Sequence, residues 1–461
     1  MRIFRKNLFH ALAVASTATL LCACTINQKQ LTTASSQPKH IAIFFDGTNN
    51  EEESDTNVKR LHSLMTLQRR PDIATFYVEG VGSEKSVIGM GTGWGFKDRV
   101  KPAYQFLLDN YRPGDKIYVF GFSRGAFSAR VLASLLYHAG LPQHARLSSG
   151  DIAEIVFDEV KDELTTEQEA DRRGKVHGTL NREHGIVAGK AVDVDIMGLW
   201  DTVEALGFPH WGPRIKDKMG IAPYPVDIDI PNRRYGDQLC NVKHAFHALS
   251  IDDNREWIFT PLLLGREALF RQCGKAGAML DADGRIIPGR LAEVWFSGAH
   301  SDVGGGYQDS MLSGVSLNWM LDRIANTGTG ILPPNTAVNE DPFGRSHDPE
   351  SGKFAPLYHN INRNIGAYLT DEKKHRGEFA GTMCVHPSVL ERRRTVPTKR
   401  HENDYLTLTR AGKICLTKKG KFSNPPILKQ VSQDAGYPCG AEGERQLEIQ
   451  VWPDCKGQPP K

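Results

Sequence analysis

Lys116-Ile117-Tyr118-Val119-Phe120-Gly121-Phe122-Ser123-Arg124-Gly125 reads as a strand running straight into a G-x-S-x-G turn. After Lys116, the four residues Ile117 to Phe120 are apolar, β-branched or aromatic, as a buried strand requires. Beyond the turn, Ala126 to Tyr137 carries Phe127, Val131 and Leu135 among small alanines, which reads as a helix, with Gly140 as its C′ stop. A serine between strand and helix, with glycines two residues to either side, has the context of a nucleophile elbow. The turn is tight enough to strain the serine backbone, and side chains at the flanking positions would collide. Ser123 Oγ then stands at the carboxyl edge of a sheet.

The residues upstream supply that sheet. His40 to Phe45 reads as a strand and Asp46 to Asn50 as a turn-rich loop. Ser54 to Leu67 is a helix with Val58, Leu61, Leu64 and Met65 on one face and Ser54, Asp55 or Thr56 as its cap. Ile73 to Val78 is a second strand. Val100, Ala103, Tyr104, Leu107, Leu108 and Tyr111 mark one face of a further helix. Strand and helix alternate up to the elbow, which implies a parallel sheet with right-handed crossovers and helices on both faces. Later strands are expected at Val192–Leu199 and Leu291–Ser297. Val203 to Gln238 is a long Pro- and Gly-rich loop whose apolar residues suit either a lid or a core cover.

A serine hydroxyl needs a base within hydrogen-bond reach, and the base needs an orienting carboxylate. Asp201 and His300 each follow a strand directly and come in the chain order Ser, Asp, His found in α/β-hydrolases. His247 and His244, which flank an apolar stretch that reads as either strand or helix, compete for the base, and Asp252, Asp253 and Asp302 for the acid; Asp302, two residues from His300, suits a loop-shaping role better. An oxyanion hole needs two N–H donors. Arg124, just after the serine, supplies one, and the Asp46-Gly47-Thr48 loop supplies the other through Gly47.

Four blocks together resemble one family: Ile43–Thr48, Phe120–Ala126, Gly198–Val203 and Trp295–Tyr307, with Val385–Val389 similar to a fifth. It is the uncharacterised α/β-hydrolase family that includes the first class of type VI secretion lipase effectors. The resemblance spans about residues 40 to 390 and implies a phospholipase-like esterase whose triad falls on Ser123, Asp201 and His300. It also implies a membrane lipid substrate and a secretion-apparatus or immunity partner. No metal or organic cofactor is implied. The rival readings are a catalytically silent envelope lipoprotein that binds lipid or a secretion partner, and an esterase or acyltransferase for non-lipid esters.

The N-terminus speaks for the cell envelope. Arg2, Arg5 and Lys6 precede an apolar run, Leu8 to Leu21, of secretory length. Leu21-Cys22-Ala23-Cys24 then resembles a bacterial lipobox, which would place a lipid on Cys24; Thr25 in place of aspartate favours the outer membrane, facing the periplasm. The expected organisation is a signal peptide over 1–23, a flexible tether over 24–39, a catalytic domain with insertions over 40–355 and a C-terminal region over 356–461 that is partly continuous with the catalytic domain and has no assigned fold of its own. Six further cysteines permit three disulfides, with four of them after residue 380 pointing to a stapled C-terminal part. A net charge of +3 does not imply nucleic acid, and the cluster Arg392-Arg393-Arg394 is expected to be a solvated face.

Overall fold

The computed structural model describes residues 27–30, 39–47, 55–80, 97–162, 171–203, 233–255, 259, 261–350, 363, 383–396, 406–408, 414–416 and 449–455. Its centre is a nine-stranded sheet in the order β1-β3-β2-β4-β5-β6-β7-β8-β11. The strands are β1 Asn27–Gln30, β2 His40–Phe45, β3 Ile73–Val78, β4 Lys116–Phe122, β5 Ile196–Trp200, β6 Ala245–Ser250, β7 Leu291–Phe296, β8 Met383–Val385 and β11 Ile449–Val451. All neighbours pair in parallel except β1, which runs antiparallel to β3. A separate antiparallel pair joins β9 Leu406–Leu408 to β10 Ile414–Leu416.

The central strands are apolar on both faces because helices cover both. On β2, Ile41, Ile43 and Phe45 enter one core while Ala42 and Phe44 enter the other. The same alternation puts Ile117 and Val119 of β4 on the first face and Tyr118, Phe120 and Phe122 on the second. Helices α2 Lys97–Asn110, α3 Arg124–His138 and α4 Ser149–Val160 line the first face. α1 Asn57–Leu67 and α7 Met311–Asn326 line the second. α1 begins where expected, with Thr56 accepting from the Lys59 N–H as its cap.

Chain direction across the sheet reverses once. From β2 the chain passes through α1 to β3 on one side, then crosses back through α2 to β4 on the other side of β2. The loops after β2 and β4 therefore part toward opposite faces, and a crevice opens at their carboxyl ends. Asp46 and Ser123 sit at the two lips of that crevice. This is the α/β-hydrolase-like arrangement that the resemblance implies, and it is fixed by β2 lying directly beside the elbow strand.

Several expectations change. Ala245–Ser250, ambiguous in sequence between strand and helix, is a fully buried strand between β5 and β7. Four residues of the tether are not a tether: Asn27–Gln30 covers the otherwise open edge of β3, whose backbone groups would lack partners there. The C-terminal region, expected to be partly continuous with the catalytic domain, contributes β8 and β11 to the main sheet, and Cys384–Cys455 ties β8 to the segment just after β11. Cys240–Cys273 is a second disulfide, outside that region. The Arg cluster on α8 Pro387–Thr395 is not a solvated face, since Arg392 is buried and donates to the carbonyls of Pro342 and Gly344 at 3.1 and 2.7 Å. Arg393 donates to Asp252 Oδ1 at 2.8 Å. The signal segment with Cys24, and residues 204–232 of the long loop, lie outside the described residues. Among the described residues no helix is long and apolar enough to cross a membrane.

Candidate active site

Ser123 occupies the corner between β4 and α3 with φ 59° and ψ −127°. A non-glycine residue pays about 1–3 kcal/mol to hold such a backbone, and only surrounding structure can enforce it. Here the enforcement is visible. The Ser123 N–H donates to Trp200 O at 3.0 Å, while its carbonyl accepts from Ala126 and Phe127 at 3.1 and 3.3 Å. Both flanking glycines are required by space. A Cβ on Gly121 would stand 2.5 Å from Ala126 Cα, and one on Gly125 would stand 2.1 Å from the Phe45 carbonyl oxygen.

Asp201 follows β5, and it too has a positive φ, 40°. Its carboxylate is buried with four donors around it. Oδ1 accepts from the Ser250 N–H at 3.0 Å and from Arg363 Nη1 at 2.7 Å. Oδ2 accepts from Arg363 Nη2 at 2.8 Å and from Nδ1–H of His300. Burial works to raise the Asp201 proton affinity, but the Arg363 charge and the His300 contact outweigh it and hold the group well below the usual carboxylate range.

His300 opens the short helix α6 His300–Gly304 directly after β7. Its backbone N–H donates to Asp253 Oδ2 at 3.2 Å. The ring lies between Phe122, with centroids 4.6 Å apart, and Phe259, met edge-on at 4.8 Å. Since a carboxylate can only accept, Nδ1 carries the proton and Nε2 is left with its lone pair. Nε2 is buried and makes no hydrogen bond in this arrangement. Burial lowers the ring's proton affinity more than Asp201 raises it, so the imidazole is held neutral, as a base must be.

Phe122, the residue before the serine, therefore does more than fill the motif. Its ring takes the space that side chains on Gly47 and Gly304 would need, and it flanks His300. It couples the β2 loop, the elbow and the histidine loop. Sequence pattern could not reveal this, because the middle positions of the motif are unrestricted by the turn itself.

The competing histidine has another task. His247 Nε2 accepts from the Thr202 N–H at 3.1 Å, and Nδ1–H donates to Glu293 Oε2 at 2.9 Å. Both ring nitrogens are thus spent on joining β5, β6 and β7. His244 Nδ1 donates to the Asp195 carbonyl oxygen at 3.1 Å. Asp252 accepts from the Gly298 N–H at 2.6 Å, and Asp253 pairs with Arg255 at 2.6 Å. Asp302 shapes its loop, with Oδ2 accepting from the Ala299 and His347 N–H groups at 3.0 Å each.

The oxyanion expectation needs one correction. The Gly47 N–H donates to Oδ1 of Asp46 at 2.6 Å, so in this arrangement it is not offered to a substrate oxygen. The reason is local: Asp46 is buried, and its carboxylate gathers donors from Gly47, from Thr56 Oγ1 at 2.8 Å and from the Tyr77 hydroxyl. Arg124 is the first residue of α3, so its N–H lies at that helix's N-terminus, next to Ser123. Thr48 lies outside the described residues.

With this geometry in place, similarity to known proteins can be weighed. Residues 39–323 match the family model described as T6SS, phospholipase effector Tle1-like, catalytic domain. The chain belongs to this family. An uncharacterised protein of Saccharomyces cerevisiae is 27% identical over 263 residues, which are 50% of this chain and 34% of that one. A crystal structure of an uncharacterised Pseudomonas aeruginosa protein is 18% identical with a TM-score of 0.34, covering 74% of this chain and 51% of that one. The chain thus spans about a third and a half of these two proteins' lengths. A Tle1 effector bound to the VgrG spike of the type VI secretion system is 18% identical with a TM-score of 0.25, covering 65% and 56% of the two chains. The propionate-bound thermophilic esterase Est2 of Thermogutta terrifontis is 14% identical with a TM-score of 0.33, covering 67% of this chain and 91% of the esterase.

Proposed function

We propose that this Tle1-like protein is a serine esterase that hydrolyses acyl esters of lipids, with phospholipids as the first candidates and phospholipase A chemistry as the reaction. The observation that carries the reading is the His300–Asp201 pair: a buried imidazole with its Nδ1 proton committed and its Nε2 lone pair unspent, in ring contact with Phe122, the residue that precedes the serine of the strained elbow. In the reaction, Ser123 Oγ attacks the ester carbonyl carbon as His300 Nε2 takes its proton. The tetrahedral oxyanion draws on the Arg124 N–H. The imidazolium, stabilised by Asp201, then protonates the departing alcohol oxygen and leaves an acyl-serine. Water attacks that ester with His300 again as base, releasing the fatty acid and restoring the serine. Family membership supports lipid as the substrate class.

The test is release of fatty acid by the purified protein from diacyl phospholipid vesicles, triacylglycerol and short-chain aryl esters. Phospholipid is expected to be cleaved fastest. Activity confined to the soluble aryl esters would overturn the lipid reading and favour the non-lipid esterase.

The lipobox-like Leu21-Cys22-Ala23-Cys24 supports an enzyme anchored by lipid at Cys24 in the envelope, with the catalytic body in the periplasm. Fractionation should find the wild type in the membrane pellet and Cys24→Ala in the soluble fraction; equal solubility of the two would remove the anchor. A type VI secretion partner is the second reading, and family membership favours it.

A further inference from the structure

Among the described residues, Arg363 is the one group hydrogen-bonded to the Asp201–His300 pair that neither the motifs nor the matched region 39–323 contains. It is fully buried and lies 162 residues beyond Asp201 in sequence. Nη1 donates to Asp201 Oδ1 at 2.7 Å and Nη2 to Oδ2 at 2.8 Å, so the guanidinium meets the carboxylate as a two-pronged fork. Nη1 also donates to the Ser250 carbonyl oxygen at 2.7 Å, and Nη2 to that of Phe259. The Arg363 N–H donates to the Asp253 carbonyl oxygen at 3.2 Å. The guanidinium is therefore held by the segments after β5 and β6, and the same Oδ2 that it grips faces the His300 Nδ1 proton.

We propose that Arg363 is a positioning residue of the hydrolytic site: it fixes the plane of the Asp201 carboxylate and shares that carboxylate's charge with His300. The inference rests on the proposed triad. Two consequences follow from the geometry. A planar fork removes rotation of the carboxylate about its Cβ–Cγ bond, so Oδ2 stays aligned with Nδ1 and the ring keeps the tautomer that leaves Nε2 basic. A permanent cation on the far side of Asp201 also offsets part of the field that would stabilise an imidazolium. The neutral, proton-accepting ring then persists to lower pH than it would beside an unshared carboxylate.

Other charges also face His300. Asp201 comes from the end of β5, while Asp253 and Arg255 come from the segment after β6 and are paired with each other. Behind them Asp252 is paired with Arg393 of α8, and on the ring's own helix Asp302 is paired with His347. Each of these carboxylates already has its own cation or imidazole. Arg363 is the cation that shares the carboxylate used by His300 itself, which makes it the group whose removal should be felt most at Nδ1.

The experiment compares the full chain with Arg363→Met and Arg363→Lys. Methionine removes the charge with little change in length; lysine keeps a charge and loses the fork. The first readout is the pH titration of the His300 Nδ1–H proton resonance, assigned with His300→Ala, which needs no turnover. The second is kcat and KM for ester hydrolysis across pH. Arg363→Met should raise the His300 midpoint by about one pH unit or more, and the acid limb of kcat/KM should move up with it. Arg363→Lys should shift the midpoint less. Both should lose kcat by about tenfold or more, with KM within about twofold of wild type. A folded Arg363→Met with an unshifted midpoint overturns the proposal. So does Arg363→Lys with wild-type kcat and resonance, and that variant decides the matter if methionine prevents folding. If the resonance shifts as expected in a protein that cleaves no ester, the clamp stands and the esterase reading fails.

Discussion

Ser123→Ala should fold like the wild type and lose ester hydrolysis by about 10⁴-fold or more, the scale set by removal of a nucleophile that acts as a unit with its base. Stability is expected to change little, because none of the contacts that hold the elbow uses the hydroxyl. The Ser123 N–H on Trp200 and the carbonyl accepting from Ala126 and Phe127 belong to the backbone, and both remain with alanine. Alanine has the same Cβ as serine, so it bears the same strain at φ 59°. Turnover and thermal midpoint should be measured on one preparation. The organophosphonate that inactivates the enzyme should label Ser123; labelling of another residue would overturn the elbow as the seat of the chemistry.

The second large effect separates two histidines. His300→Ala should be nearly as inactive as Ser123→Ala and remain well folded. When the ring is removed, Asp201 keeps the Ser250 N–H and both prongs of Arg363, so its charge is not stranded. His247→Ala should do the reverse. It takes the acceptor from the Thr202 N–H and the cross-strand donor from Glu293, both in the sheet interior. Glu293 keeps the Leu264 N–H at 2.6 Å, but the buried Thr202 N–H loses its acceptor, so a loss of about 1–3 kcal/mol is expected with most of the turnover number retained. Denaturant unfolding and kcat for the pair give the answer. An active, folded His300→Ala beside an inactive, folded His247→Ala would transfer the role of base to His247 and undo the assignment of the Gly298–Tyr307 segment as the histidine loop.

That Asp201 and His300 would meet at one edge of the sheet was legible for a reason. Functional residues of a parallel sheet sit just past the carboxyl ends of strands, and β5 and β7 are apolar runs whose ends can be read. β6 was harder, because Ala245–Ser250 is short and buried on both faces, and its period does not separate strand from helix. Gly47 was misjudged because the sequence does not say where a neighbouring carboxylate will turn. Asp46 folds back on the next N–H only because Thr56, Tyr77 and burial collect it there.

By itself the sequence determined the elbow, the alternation of strand and helix around it, and the order in which Ser123, Asp201 and His300 follow their strands. These depend on residues close together in the chain, where steric limits on a tight turn and the burial of one face act over a few positions. The tertiary structure alone decided the rest. It spent both nitrogens of His247 on neighbouring strands, placed the Phe122 ring beside His300, and drew β8 and β11 of the C-terminal region into the catalytic sheet. It also brought Arg363 onto Asp201 across 162 residues. No periodicity encodes such a contact. A buried guanidinium is tolerated only where a carboxylate and carbonyl oxygens already converge, and that convergence exists only once the strands are side by side.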